Sequence, residues 1–239
     1  MQLLASRERM AGRPPRIETD RRSFDAARLS SDNLVTAVRP YLTISYVDRT
    51  QPLRRKQAER ILSYSFMTLM GSWEEFVQLT YLKYLVGAAS PAGTRPTLTA
   101  TPQATLLDAA RFLTGRPLFN PSHHYHMWPT WNKLVNDANG HFQSGIPFSS
   151  VSQSDRALLG YAQAIRNRVA HRSKKCITHF LASARPHLGL PPNAALPQGM
   201  DAGRLLSTAV THLFPARPSQ IYYEAYSDLL YRLSRIIAP

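Results

Sequence analysis

The stretch that decides the fold is LRRKQAERILSYSFMTLMGSWEEFVQLTYLKYLV, residues 53–86. It contains one glycine, Gly71, and no proline after Pro52, so little in it weakens a helix or removes a backbone donor. The sequence predicts a helix of roughly 30 residues here. Its middle is apolar nearly all round, through Ile61, Leu62, Phe66, Leu69, Trp73, Phe76, Val77, Tyr81 and Leu85. A helix apolar on every side is expected at the centre of a bundle.

Working outward, residues 1–22 are rich in arginine and proline and are expected to form a basic, poorly ordered arm. From Ser23 to about Leu42, the positions Leu29, Val35, Val38 and Leu42 predict one or two short helices, with Pro40 breaking the pattern. GAASPAGTRPT (87–97) is a loop by composition. QATLLDAARFLT (103–114) reads as a short helix, and the following stretch to about residue 150 is irregular, with a helix at Trp131–Ala138. Ser152-x-x-Asp155 matches a loose capping box; the helix it opens is expected to run on to about Ala184. PPNAALPQG (191–199) is a linker, and Asp201–Leu213 and Gln220–Ile237 are the last two expected helices. Pro218 and Ser219 set up the second of these, and Ile221, Ala225, Leu229, Leu233 and Ile236 form its core stripe. There is no internal repeat and no alternating strand pattern. The expectation is an all-α chain, with one helical domain over 23–239 behind the arm.

The 239 residues are enough for a sizeable core. With 44% apolar and 18% charged residues, the composition is globular. The formal net charge of +14 favours a polyanionic partner, nucleic acid first and an anionic membrane surface second. A single cysteine, Cys176, excludes an internal disulfide framework and a multi-cysteine zinc site, and fits a reducing cytosol. No stretch approaches the ~20 apolar residues of a membrane span, and MQLLASRERMAGRPPR (1–16) is too charged for a signal peptide. The expectation is a cytoplasmic protein with no membrane partner.

AIRNRVAHRSKK (164–175) sits late in the expected long helix. At about 100° per residue, Leu158, Ala162, Ile165 and Val169 fall on one narrow apolar stripe. Asn167 and His171 fall on the opposite side with Arg156, Gly160, Gln163 and Lys174, so His171 is not a core histidine by position. Arg166 stands on the flank, about 140° from His171. Bringing their heads to one phosphate demands a curled arginine, a locally distorted helix or a second helix facing this one. Gly160 on the same face would allow close approach.

Arg166-Asn167-(x3)-His171 resembles the RNA-cleaving R-N-x-x-x-H motif of HEPN domains (higher eukaryotes and prokaryotes nucleotide-binding). The early helix with its run MGSWEEFVQLTYL (70–82), the motif late in a second long helix and the helix after it also resemble that superfamily, over roughly residues 55–237. The early helix is closest in character to the groups found in bacterial defence and toxin systems. The resemblance implies a HEPN-like helical bundle with a long central helix and irregular insertions. It also implies a homodimer that places two motifs across its interface, products with 2′,3′-cyclic phosphate ends, and an inhibitory antitoxin or regulatory partner.

The residue types allow that chemistry without a cofactor. RNA carries its own nucleophile, the 2′-hydroxyl. Histidine, with an ordinary pKa near 6.5, serves as general acid or base at neutral pH; His171 is the candidate. Arginine stays charged and forks two hydrogen bonds onto phosphate oxygens; Arg166 is the candidate and Arg168 its rival. Asn167 positions the phosphate or the imidazole without adding charge. Arg172, Lys174 and Lys175 are candidate RNA contacts.

Two further features bear on this. Glu74 and Glu75, the only acidic residues between Glu59 and Asp108, lie in the apolar helix, where a carboxylate requires a partner. In several HEPN groups an acid on the early helix lies near the motif, so the resemblance offers one of them as an orienting group for Arg166 or His171. HHYHMWPTW (123–131) offers His123, His124 and His126 to a metal, but no cysteine or carboxylate stands beside them in sequence; no metal site is expected. Tyr125, Trp128 and Trp131 are either base-stacking or packing residues. The functional expectation is a metal-independent endoribonuclease. The alternative is a non-catalytic helical module that binds nucleic acid or a partner protein, and a helical DNA-binding protein is disfavoured by the lack of helix-turn-helix spacing.

Overall fold

A computed structural model describes residues 15–115, 128–215, 217 and 219–239. The protein is all-α: the described residues form α-helices joined by turns, short 3-10 segments and two isolated bridges, Leu98 with Phe142 and Ala209 with Ile221. In chain order the helices are α1 (Ile17–Val38), α2 (Arg55–Leu85), α3 (Leu106–Thr114), α4 (Trp131–His141), α5 (Gln153–Ala170), α6 (Lys174–His187), α7 (Ala202–Ser207) and α8 (Tyr222–Ile237). None of them is long and apolar enough to cross a membrane.

Helix starts follow local chemistry. Thr105, Thr130 and Asp201 each stand in extended backbone before a helix, and each side chain accepts an amide N–H from the first turn. Ser152 does the same for α5, accepting from Asp155 N at 3.1 Å while its hydroxyl donates to the Asp155 carboxylate at 2.8 Å. At the far end of α3, Gly115 takes φ +64, the left-handed turn that glycine adopts most cheaply.

The expected bounds are met closely by α2 but not everywhere. Helix α1 already begins at Ile17, inside the expected arm, because Ile17, Asp20 and Phe24 all have places in the core. Residues 1–14 of that arm lie outside the described residues. Pro40 falls in a 3-10 turn, Arg39–Leu42, as its missing N–H favours. The helix expected over 201–213 stops at Ser207, and Leu213 has φ +68. Ser219 has φ +62 and does not cap α8; Glu224 instead accepts from Ile221 N at 3.0 Å. Of the stripe on α8, Ile221, Ala225, Leu229 and Leu233 are buried and Ile236 is half-buried. Helix α2 is buried on most sides but keeps an exposed line through Arg60, Tyr64, Thr68 and Glu75.

The chain forms two compact units: residues up to 24 with 73–156 and 232–239, and residues 25–72 with 157–231. In the first, Phe24, Trp73 and Phe76 pack ring on ring, and Trp131 stacks on Trp73 at 6.1 Å. Buried Lys83 donates to the Asp20 carboxylate and, at 2.8 Å, to the Arg16 carbonyl. A buried ammonium requires such a partner. Tyr84 ties the chain end down by donating to the Ile237 carbonyl at 2.8 Å.

In the second unit, Leu158, Ala162 and Ile165 of α5 are buried as expected, while Val169 is only half-buried. Phe66 of α2 packs edge-on against Tyr226 of α8. Helix α7 meets α2 at Gly203, where a Cβ would lie 2.1 Å from the Glu59 carbonyl oxygen, so only glycine fits. His187 closes α6 in a fully buried knot. The Ser183 carbonyl can only accept, so Nδ1 of His187 carries the proton (2.7 Å) and Nε2 accepts from the Tyr226 hydroxyl (2.7 Å). Tyr222 donates to the His187 carbonyl. Burial pushes the His187 imidazole down to about 4, against the weaker upward pull of its bond to Ser183.

Candidate functional site

The opening question at the site is whether the helix runs through the motif, and it does not. Helix α5 ends at Ala170, residues 171–173 leave the helical path, and Ser173 starts α6. Ser173 sits in extended backbone at φ −64, ψ 149, and its Oγ accepts from Cys176 N at 3.3 Å. The single helix expected from Ser152 to about Ala184 is therefore two helices. A serine that caps offers the backbone a better partner there than the next helical turn does. Lys174 consequently opens α6 instead of sharing a face with Asn167.

Asn167 is the centre of the geometry. Its Oδ1 accepts from Nη1 of Arg166 at 3.1 Å, which fixes the orientation of its amide. Its carbonyl accepts from His171 N at 2.9 Å, the last turn of α5 closing on the first residue beyond it. Arg166, Asn167 and Arg168 are half-buried, whereas His171, Arg172, Lys174 and Lys175 are exposed. What joins His171 to Asn167 is a backbone bond, not a side-chain contact.

The electrostatic setting is one-signed. From Arg156 to Met200 the chain has no aspartate or glutamate, while Arg156, Arg166, Arg168, Arg172, Lys174, Lys175 and Arg185 supply seven cations. Lys174 and Lys175 occupy the first turn of α6, where the helix dipole opposes a cation and favours an anion. The exposed Gly160 has open space around the place of a Cβ, so the face of α5 that carries it admits a close neighbour.

Of the two early-helix carboxylates, Glu74 is half-buried and Glu75 exposed, both in the first unit. Trp128 and Trp131 both take part in packing: the Trp128 indole donates to Asp137 at 2.9 Å and packs on Tyr81, and Trp131 stacks on Trp73. Indole rings pack where both their apolar body and their N–H are satisfied. His123, His124, Tyr125 and His126 lie outside the described residues, and among the described residues no His/Cys/Asp/Glu group is arranged to hold a metal. Sequence reasoning missed Ser173, although a serine followed by a new apolar spacing at Ile177, Phe180 and Ala184 is a legible start signal.

No family model, no curated protein and no solved structure matches this chain.

Proposed function

We propose that the chain is a HEPN-type endoribonuclease whose working residues are Arg166, Asn167 and His171. The observation that carries the reading is the side-chain bond from Arg166 to Asn167 near the end of α5, with the exposed His171 the first residue beyond that helix. In the reaction, the 2′-oxygen of a ribose forms a bond to the adjacent phosphorus and the bond from phosphorus to the 5′-oxygen breaks. One proton leaves the 2′-hydroxyl and one arrives on the departing 5′-oxygen. His171, whose exposed imidazole can give or take a proton, performs one of these transfers. Arg166 offsets the charge that builds on the phosphoryl oxygens, and the Asn167 amide holds its guanidinium in place. The products are a 2′,3′-cyclic phosphate and a 5′-hydroxyl.

A second copy of the chain, presenting a second motif, completes the site, and the His171 of that copy performs the other transfer. Toxin or antiphage-defence effector is the physiological role that goes with this chemistry, with an antitoxin or regulatory protein as its partner. The test is cleavage of total RNA by purified wild type, His171→Ala and Arg166→Ala, with folding followed by circular dichroism. Loss of cutting in both folded variants supports the reading, and wild-type rates in both refute it. RNA binding with no cleavage by the wild type would favour a non-catalytic module.

A further inference from the structure

A second cationic surface on the unit that carries the motif is built around Tyr46. Tyr46 is 45% exposed. The guanidinium of Arg55 lies 4.3 Å from its centroid and that of Arg204 lies 5.7 Å away. Buried Glu59 anchors the group, accepting from the Tyr46 hydroxyl, from Arg55 Nε at 3.3 Å and from Lys56 Nζ at 3.3 Å. Lys56 also pairs with Asp201, which caps the helix of Arg204. Arg54 and Arg60 flank these residues and are exposed. The cluster thus holds five cations, Arg54, Arg55, Lys56, Arg60 and Arg204, against two carboxylates, Glu59 and Asp201. Three of the cations, Arg54 to Lys56, crowd the start of a 31-residue helix, where the dipole opposes them. Glu59 and Asp201 answer part of that charge, and a bound anion would offset the rest.

We infer that this surface is a second contact site for single-stranded RNA, built from residues outside the motif; the choice of RNA rests on the function proposed above. Arginines held by a ring and a carboxylate lose less freedom when they fork onto phosphates. The exposed Tyr46 and its guanidinium neighbours offer flat surfaces to unpaired bases, which a duplex keeps stacked internally. A substrate gripped here as well as at the motif is a strand several nucleotides long, not a dinucleotide.

The experiment measures binding of a fluorescein-labelled oligouridylate of about 20 nucleotides to full-length protein carrying His171→Ala, which prevents cutting. To that background are added Arg54→Glu/Arg60→Glu, Tyr46→Ala, or the control Arg22→Glu/Arg95→Glu, which changes net charge equally at exposed positions elsewhere. The two surface variants are expected to bind about tenfold more weakly. The arginine pair is also expected to lower the slope of log affinity against log salt by about 1.4, or 0.7 per lost phosphate contact. The control should stay within about twofold of its parent. Affinities in the surface variants that match the control, with thermal melts unchanged, overturn this surface while leaving the motif reading intact. A parent that does not bind RNA overturns both readings. Tighter binding of duplex DNA through the same residues overturns the assignment to single-stranded RNA.

Discussion

Nη1 of Arg166 donates to Oδ1 of Asn167 at 3.1 Å, so two neighbours on one helix act as a single unit. Arg166→Ala is expected to lower the cleavage rate by roughly 100- to 1000-fold, the range for losing one preorganised donor to a charged transition state. Arg166→Lys should recover little of it, because an ammonium does not reproduce the guanidinium fork. Single-turnover cleavage of a defined RNA checks both.

Arg168 is two residues away and half-buried, like Arg166, but Arg166 is the one bonded to Asn167. Arg168→Ala is therefore expected to weaken RNA binding with the turnover rate within a few-fold of wild type. If kcat falls instead by roughly 100-fold or more, the phosphate role belongs to Arg168. A split of kcat from KM makes the distinction.

Ser173 holds the start of α6 by accepting from Cys176 N. Ser173→Ala should cost about 1 kcal/mol of stability, the usual value for losing a cap, and Ser173→Asp should restore it. Thermal denaturation of the three proteins side by side reads the effect. A Ser173→Ala melt equal to wild type would mean that the chain break at 171–173 is held by something else.

His187 supplies a pH dependence with a definite sign. Its pKa is about 4 in the folded protein, against an ordinary value near 6.5. The folded state resists protonation, so its contribution is full above about pH 6.5 and is lost as pH falls toward 4. The loss is on the order of 3 kcal/mol. Chemical denaturation at pH 7 and pH 4 should show it, and His187→Gln should flatten that part of the curve. Below the ordinary carboxylate range a second loss follows, because hydrogen bonding to Arg232 holds the Asp155 carboxyl below its usual value.

The parts of the fold that could be read in the sequence are those where one periodicity runs uninterrupted. Helix α2 was legible because its apolar residues leave no gap from Ile61 to Leu85 and no proline intervenes. The end of α5 was overlooked, because no glycine or proline marks residues 171–173 and the break depends on one serine side chain. The start of α1 was masked by the arginines around it; its warrant is tertiary, the burial of Ile17 and the pairing of Asp20 with Lys83 from 63 residues away. At the site, the residue types of the motif were legible and the side-chain bond from Arg166 to Asn167 was not, because it depends on the rotamers the two adopt. The Tyr46 surface was invisible for a related reason: Tyr46, Glu59 and Arg204 meet only through the fold.

The most direct test of the central claim is the chemistry of the product ends. Pure protein is incubated with a defined RNA in EDTA, and the fragments are analysed for their terminal groups. The account predicts 2′,3′-cyclic phosphate and 5′-hydroxyl ends with wild type and their absence with His171→Ala. Fragments bearing 5′-phosphate and 3′-hydroxyl ends, or cyclic ends produced equally by His171→Ala, would contradict it.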